Sequence, residues 1–136
     1  MPFTIRKQDS QGAGYFGAPR GSRKHRGVDL CCEAVSIVAS MAPGTVTKVG
    51  YPYRMDDDLK GHLRYVEVTL DGNRFRYFYV EPLVSVGDIL AHGDSVGISQ
   101  DLTSIYPGIT QHFHFEIIRP DGSYQDPNTM FPGMFV

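Results

Sequence analysis

From Val35 onward the apolar residues of this chain come in short β-branched or alternating runs cut by turn pairs, and no helical apolar period survives over a useful length. A helical bundle is thereby excluded. Val35 to Val49 holds two β-branched runs broken by Pro43-Gly44, while Leu63 to Leu70 sets Tyr65, Glu67 and Thr69 against Val66, Val68 and Leu70. Asp71-Gly72-Asn73 marks a hairpin, after which Arg74 to Val80 returns as a strand. Val84 to Leu90 and Ser95 to Ser99 read as short strands around a glycine turn at His92-Gly93-Asp94, Gly108 to Ile118 holds a longer one, and Asp121-Gly122 and Asp126-Pro127 close the chain in turns. Tyr51 to Gly61 reads as an exposed insertion, and its consecutive acids Asp56, Asp57 and Asp58 point apart rather than at one ion. The expectation is an all-β, mostly antiparallel domain of short strands. Residues 1 to 24 read as loop with Phe3, Ile5, Tyr15 and Phe16 as anchors, so that 1–14 form an N-terminal extension and 15–136 the domain.

A chain of 136 residues suits one domain with its own core. Thirteen Lys and Arg against fifteen Asp and Glu leave no basic excess to make nucleic acid the partner. Cys31 and Cys32 are adjacent, a spacing that does not give an unstrained disulfide, and read as buried thiols. The first residues have no apolar h-region, and no apolar run is long enough to span a bilayer. A signal-peptide route is therefore not expected, and the chain works inside a cell or leaves by assembly into a particle or by lysis.

Chemistry concentrates in Gln111-His-Phe-His-Phe-Glu-Ile-Ile118. In a strand His112, His114 and Glu116 share one face and Phe113, Phe115 and Ile117 the other, so a core anchor on one side aims two imidazoles together on the other. Far upstream stands His25-Arg-Gly-Val-Asp29, where Gly27 and Val28 argue against helix. If extended, it puts 25, 27 and 29 on one face with no side chain at Gly27 to crowd an ion. Imidazole and carboxylate suit Zn²⁺, and a catalytic zinc takes three protein ligands with the fourth position left to water. His25, Asp29 and one of the two downstream histidines make that count, with Cys31 on the same face as an alternative.

These pieces, taken in order, resemble the lysostaphin-type zinc endopeptidases that cut peptide cross-links of bacterial peptidoglycan. Phe16-Gly17 with Arg20, His25-Arg-Gly-Val-Asp29, Val38-Ala39 through Ala42-Pro-Gly-Thr-Val46, Val86-Gly-Asp88 with Gly93 and Val96-Gly97, His112-Phe-His-Phe-Glu116 and Asp126-Pro127 are similar to that family's successive motifs. The resemblance spans Tyr15 to Phe131. It implies a narrow antiparallel β-sheet groove, zinc held by His25, Asp29 and His114, and His112 beside them as a catalytic base. Family members carry a second catalytic histidine in a Tyr-x-His-Leu segment, but the matching stretch here is Tyr77-Phe-Tyr-Val80, which puts Tyr79 in its place. Gly61-His62-Leu63 mimics the missing motif from the wrong side of its strand. Tyr79, with Phe78-Tyr-Val-Glu-Pro82 and Tyr106-Pro-Gly-Ile109, is similar to a non-catalytic zinc-binding branch, the leukocyte cell-derived chemotaxins. The resemblance thus implies one of two functions. One is a zinc endopeptidase acting on peptidoglycan peptides, fitting a phage particle or lysis module that meets the cell envelope. The other is a zinc-bearing structural or binding module that holds a protein partner in an assembly.

Overall fold

The computed structural model describes residues 3–136, so Met1 and Pro2 of the expected extension and leaderless amino terminus lie outside the described residues. Its strands, in chain order, are β1 (Pro19–Arg20), β2 (Arg23–Lys24), β3 (Val28–Cys31), β4 (Ile37–Ala39), β5 (Gly44–Gly50), β6 (Tyr65–Leu70), β7 (Asn73–Phe78), β8 (Val80–Pro82), β9 (Ile89–Leu90), β10 (Ser95–Ser99), β11 (His112–Ile118) and β12 (Tyr124–Gln125), followed by the one-turn helix α1 (Pro127–Met130). Every pairing between them is antiparallel. A large sheet runs β12-β11-β7-β6-β5-β9 with β3 attached to β11, a small one runs β4-β10-β8, and β1 and β2 form a hairpin of their own. No helix among the described residues is long and apolar enough to cross a membrane.

The alternation expected for β11 is what fixes the core. Phe113, Phe115 and Ile117 join Val28 and Leu30 of β3, Val66 and Val68 of β6, and Phe75 and Tyr77 of β7 in one buried cluster. Burying each such side chain contributes roughly 1.5–3 kcal/mol. Phe115 lies at the centre, its ring 5.1 Å from that of Tyr77 and 6.3 Å from that of Phe75. The Tyr77 hydroxyl accepts the Met41 N–H at 2.9 Å, and burial pushes the phenol up to about 12. The opposite face of β11 is covered too, and all seven of its residues are buried. The polar face carrying the histidines is therefore the floor of a groove rather than an open surface.

Several expectations are corrected. The return strand ends at Phe78 instead of Val80, because Tyr79 takes a left-handed backbone (φ 66°) and the chain passes into β8 of the small sheet. Of the stretch Val84 to Leu90 only Ile89–Leu90 is strand, since Ser85 to Asp88 closes a turn in which the Ser85 N–H donates to the Asp88 carboxylate. The thiols of Cys31 and Cys32 are free and half-buried. Within the first 24 residues, expected to be loop, Pro19–Arg20 and Arg23–Lys24 pair as a hairpin. Phe3, Ile5 and Phe16 pack on the core as expected, but Tyr15 is 51% exposed whereas Arg6 is only 3% exposed. Residues 4–6 run along the outer edge of β3, with the Arg6 N–H donating to the Asp29 carbonyl and the Cys31 N–H to that of Thr4. Gly14 permits the approach, because a Cβ there would lie 2.7 Å from Cβ of Arg6 and 2.8 Å from Cβ of Asp29.

Candidate metal centre and its groove

β3 and β11 pair so that Asp29 stands opposite His114 and Cys31 opposite His112. With Val28 and Leu30 turned into the core, Asp29 must turn to the groove. His25 arrives from the β1–β2 hairpin, fixed by its backbone N–H to the Ala18 carbonyl and by the Gly17 N–H to its own carbonyl. Gly27, between them, allows the closest contact in the site. A Cβ at that position would come 2.9 Å from Cε1 of His114 and still nearer the Phe115 carbonyl.

His25, Asp29 and His114 offer ligand atoms that all lie within 4.8 Å of one another. Nε2 of His25 is 3.1 Å from Nδ1 of His114 and 3.2 Å from Oδ1 of Asp29, and Nδ1 of His114 is 3.0 Å from that same oxygen. Ligands of a tetrahedral zinc at the usual bond lengths stand about 3.3 Å apart, so the triangle needs only a slight opening to admit the ion. The donor set fits the metal.

Each imidazole has its other nitrogen engaged. His25 uses Nδ1 to donate to the Tyr15 carbonyl at 3.0 Å, which frees Nε2 for a cation. His114 uses Nε2 toward Glu116 Oε1 at 2.8 Å, which frees Nδ1. A carboxylate behind a ligating histidine fixes ring and tautomer together. His112 donates from Nδ1 to the Thr110 carbonyl at 2.8 Å, and its Nε2 stands 3.6 Å from Oδ2 of Asp29, outside the triangle. Asp29 itself divides its two oxygens. Oδ1 faces the histidines, while Oδ2 receives Nε and Nη2 of Arg6, each at 3.1 Å.

Burial alone would raise Asp29, yet the hydrogen bonds from His114 and His25 and the proximity of His112 hold it well below the carboxylate range. Burial alone would lower His114, but its bonds to Asp29 and Glu116 lift it to about 9. For His112 burial wins over the attraction of Asp29, and its pKa falls below the usual value. Without metal, then, His114 keeps both ring protons, one toward Asp29 at Nδ1 and one toward Glu116 at Nε2; a cation at Nδ1 would replace the first and leave the second. Folding raises the His114 pKa from an unfolded value of about 6.5, so its stabilisation is complete below that pH and is lost as pH rises toward about 9. His112 acts in the opposite sense, penalising the fold below about pH 6.5. Chelator-treated protein is therefore expected to melt highest at about pH 6.5 and progressively lower up to about pH 8.5. A melting temperature that is flat or rising across that interval would contradict a shared proton at His114.

Tyr79 reaches the groove only because of its backbone. Had β7 continued, Tyr79 would have followed Tyr77 onto the core face. The left-handed turn instead swings its ring toward His112, centroid to centroid 5.8 Å and edge-on, while Phe78 sets its own edge against His114 at 5.2 Å. Its N–H donates to the Arg64 carbonyl and its carbonyl accepts the Gln100 N–H, which hold the turn. Burial, reinforced by Tyr53, raises the phenol well above its ordinary value, so it keeps its proton. The Tyr79 and Tyr53 hydroxyls are 3.5 Å apart and those of Tyr53 and Tyr106 3.4 Å. Tyr53 belongs to the 51–61 insertion, so this segment supplies a wall of the groove even though Asp56, Asp57 and Asp58 are exposed.

Cys31 does not join the metal-ligand group, and His62 is exposed away from the groove. Sequence patterning does not single out Arg6 or Tyr53, and it marks Tyr106 only as part of a motif; the Asp29 carboxylate, which had to find a cation once buried, is the one hint at the first. The groove has a volume of about 510 Å³ and runs between these walls over the His112-His114-Glu116 floor.

Residues 23–127 match the sequence pattern of Peptidase family M23. The chain belongs to that family. M23 members are zinc metallopeptidases, and the His-Asp-His group of this chain could bind a metal ion. Among curated M23-like proteins, leukocyte cell-derived chemotaxin-2 of Mus musculus is 35% identical over 114 residues, spanning 82% of this chain and 72% of the relative. The Bos taurus protein of the same name is 30% identical over 112 residues, with the same coverage. Among solved M23 structures, the catalytic domain of lysostaphin from Staphylococcus simulans superposes with a TM-score of 0.62 at 20% identity, covering 91% of each chain. The catalytic domain of the prophage-encoded M23 protein EnpA from Enterococcus faecalis, solved in a mutant form, gives 0.65 at 20% identity over 86% of this chain and 88% of that one. At that identity the structures establish the shared fold.

Proposed function

We propose that this M23 chain holds one Zn²⁺ on His25, Asp29 and His114 and hydrolyses peptide bonds of peptidoglycan cross-links, at a rate held down by Tyr79. The observation that carries this reading is the preset of the imidazoles: His25 and His114 each turn a free nitrogen to one point, and His112 keeps a third free nitrogen just outside it. When bound, zinc supplies a Lewis acid for the peptide carbonyl and lowers the pKa of water. His112, neutral at neutral pH because burial depresses its pKa, accepts a proton at Nε2. The Tyr79 phenol, which keeps its proton, donates to the oxygen that gains charge as the carbonyl is attacked. It cannot relay protons at neutral pH as an imidazole does, and this is what slows the reaction. A phage particle or lysis module is the setting that fits a wall-directed chain of this kind.

Tyr79→Phe removes that donor and is expected to lower the rate by about 10²-fold while zinc content stays unchanged. Clearing of permeabilised bacteria, with and without chelator, measures it. A Tyr79→Phe protein as fast as an active wild type would eliminate the role of the phenol. A second reading, a zinc-bearing module that binds a protein partner without cutting, is favoured by the tyrosine itself and by the name chemotaxin of the relatives at 35% and 30% identity. On that reading the wild type clears no faster than its chelated control, and Tyr79→His gains weak activity. The His variant suits the backbone, because a left-handed residue tolerates histidine better than a bulky phenol.

A further inference from the structure

We propose that Arg6 and Asp9, from the segment ahead of the first strand, are positioning residues of the metal centre: Arg6 decides which oxygen of Asp29 faces the ion, and Asp9 fixes the carbonyl that holds His112. The proposal rests on the reading that His25, Asp29 and His114 hold the metal. Arg6 is one of the few charged side chains buried in the molecule, at 3% exposure. It spends its whole guanidinium on the site. Nε and Nη2 donate to Oδ2 of Asp29, and Nη1 donates at 2.7 Å to both Asp9 Oδ1 and the Gly12 carbonyl. With Oδ2 taken by this fork, Oδ1 is the oxygen left for the histidine side, and the carboxylate cannot swing to offer both.

Asp9 extends the same support to the other half of the site. Its Oδ2 accepts the Thr110 N–H at 2.9 Å, and the Thr110 carbonyl in turn accepts Nδ1–H of His112 at 2.8 Å. Ser10 and Gln11 add donors to the Pro107 carbonyl at 2.6 and 3.1 Å, so the 107–110 loop is pinned by the amino-terminal segment. One ion pair thus sets the orientation of a metal ligand on one side and of the free histidine on the other. Residues 3–14 are then part of the site rather than an extension beside the domain.

The decisive variant is Arg6→Lys in the full chain, because lysine keeps the charge but has one nitrogen where the guanidinium uses three. Any loss of metal affinity therefore reports orientation and not altered charge. Co²⁺ titration followed by the visible spectrum of the bound ion is expected to show about tenfold or greater loss of affinity and a shifted band, the usual scale for removing a partner behind a ligand. Arg6→Gln, which removes the charge as well, is expected to lose affinity too. Asp9→Ala is expected to disturb the ¹⁵N ring signals of His112, which report the Nδ1–H tautomer, with a smaller change in Co²⁺ affinity. An Arg6→Lys protein that melts lower but binds Co²⁺ with wild-type affinity and spectrum would reduce Arg6 to scaffold and overturn the proposal while leaving the metal reading intact. A wild type that takes up no Co²⁺ overturns both. Should neither Arg6 variant fold, unchanged His112 ring signals in Asp9→Ala overturn the proposal by themselves.

Discussion

His114→Ala is expected to strip the chain of metal and reduce hydrolysis to the chelated background. Nδ1 of His114 is one corner of a triangle whose sides are 3.0 to 3.2 Å, and no other described histidine stands ready to replace it. The substitution also leaves Asp29 and Glu116 facing each other across a buried gap without the imidazole that separates them. Removing one partner from such a buried charged set costs about 3–5 kcal/mol, so the melting temperature should fall in metal-free buffer as well. Metal analysis after gel filtration decides the first part. Stoichiometric zinc in His114→Ala would remove the ligand assignment outright.

His112→Ala should do the reverse, keeping the metal and losing the chemistry. Nε2 of His112 points at the Arg6-bound oxygen of Asp29, 3.6 Å away, and not at the one that completes the triangle. Its partner is a backbone carbonyl, which orients the ring without making it a ligand. Loss of a positioned general base is worth about 10²- to 10⁴-fold in rate. Zinc content close to wild type with activity down by that factor is the expected pair of results. If metal is lost as completely as in His114→Ala, the division of labour between the two histidines is wrong.

The alternation of Gln111 to Ile118 was readable because a strand has only two faces and the phenylalanines claim one of them. The same rule set 25, 27 and 29 on one face of an extended segment, but the strand begins only at Val28, and His25 reaches the site from the hairpin instead. Tyr79 was placed at the site only through the resemblance to the family's second histidine, since its route to the groove depends on a left-handed turn that period-two counting cannot contain. Arg6 was illegible for another reason. Its partner lies 23 residues away, and an arginine in a polar, glycine-rich opening looks the same whether it is solvated or buried against a carboxylate. The contribution of Tyr53 depended on where an exposed insertion folds back, which its own sequence does not specify.

β3 lies between residues 4–6 on one side and β11 on the other, so the candidate metal centre lies where residues early in the sequence meet a strand made much later. During synthesis, His25 and Asp29 leave the ribosome 89 and 85 residues before His114. At about 5–20 residues per second that is a wait of roughly four to eighteen seconds. Throughout it, the nascent protein carries two of the three proposed ligands, an imidazole and a carboxylate, without the third. On the proposed ligand set, acquisition of the ion would thereby wait until β11 has been made, and a chain that stops short of it would lack one of the three ligands.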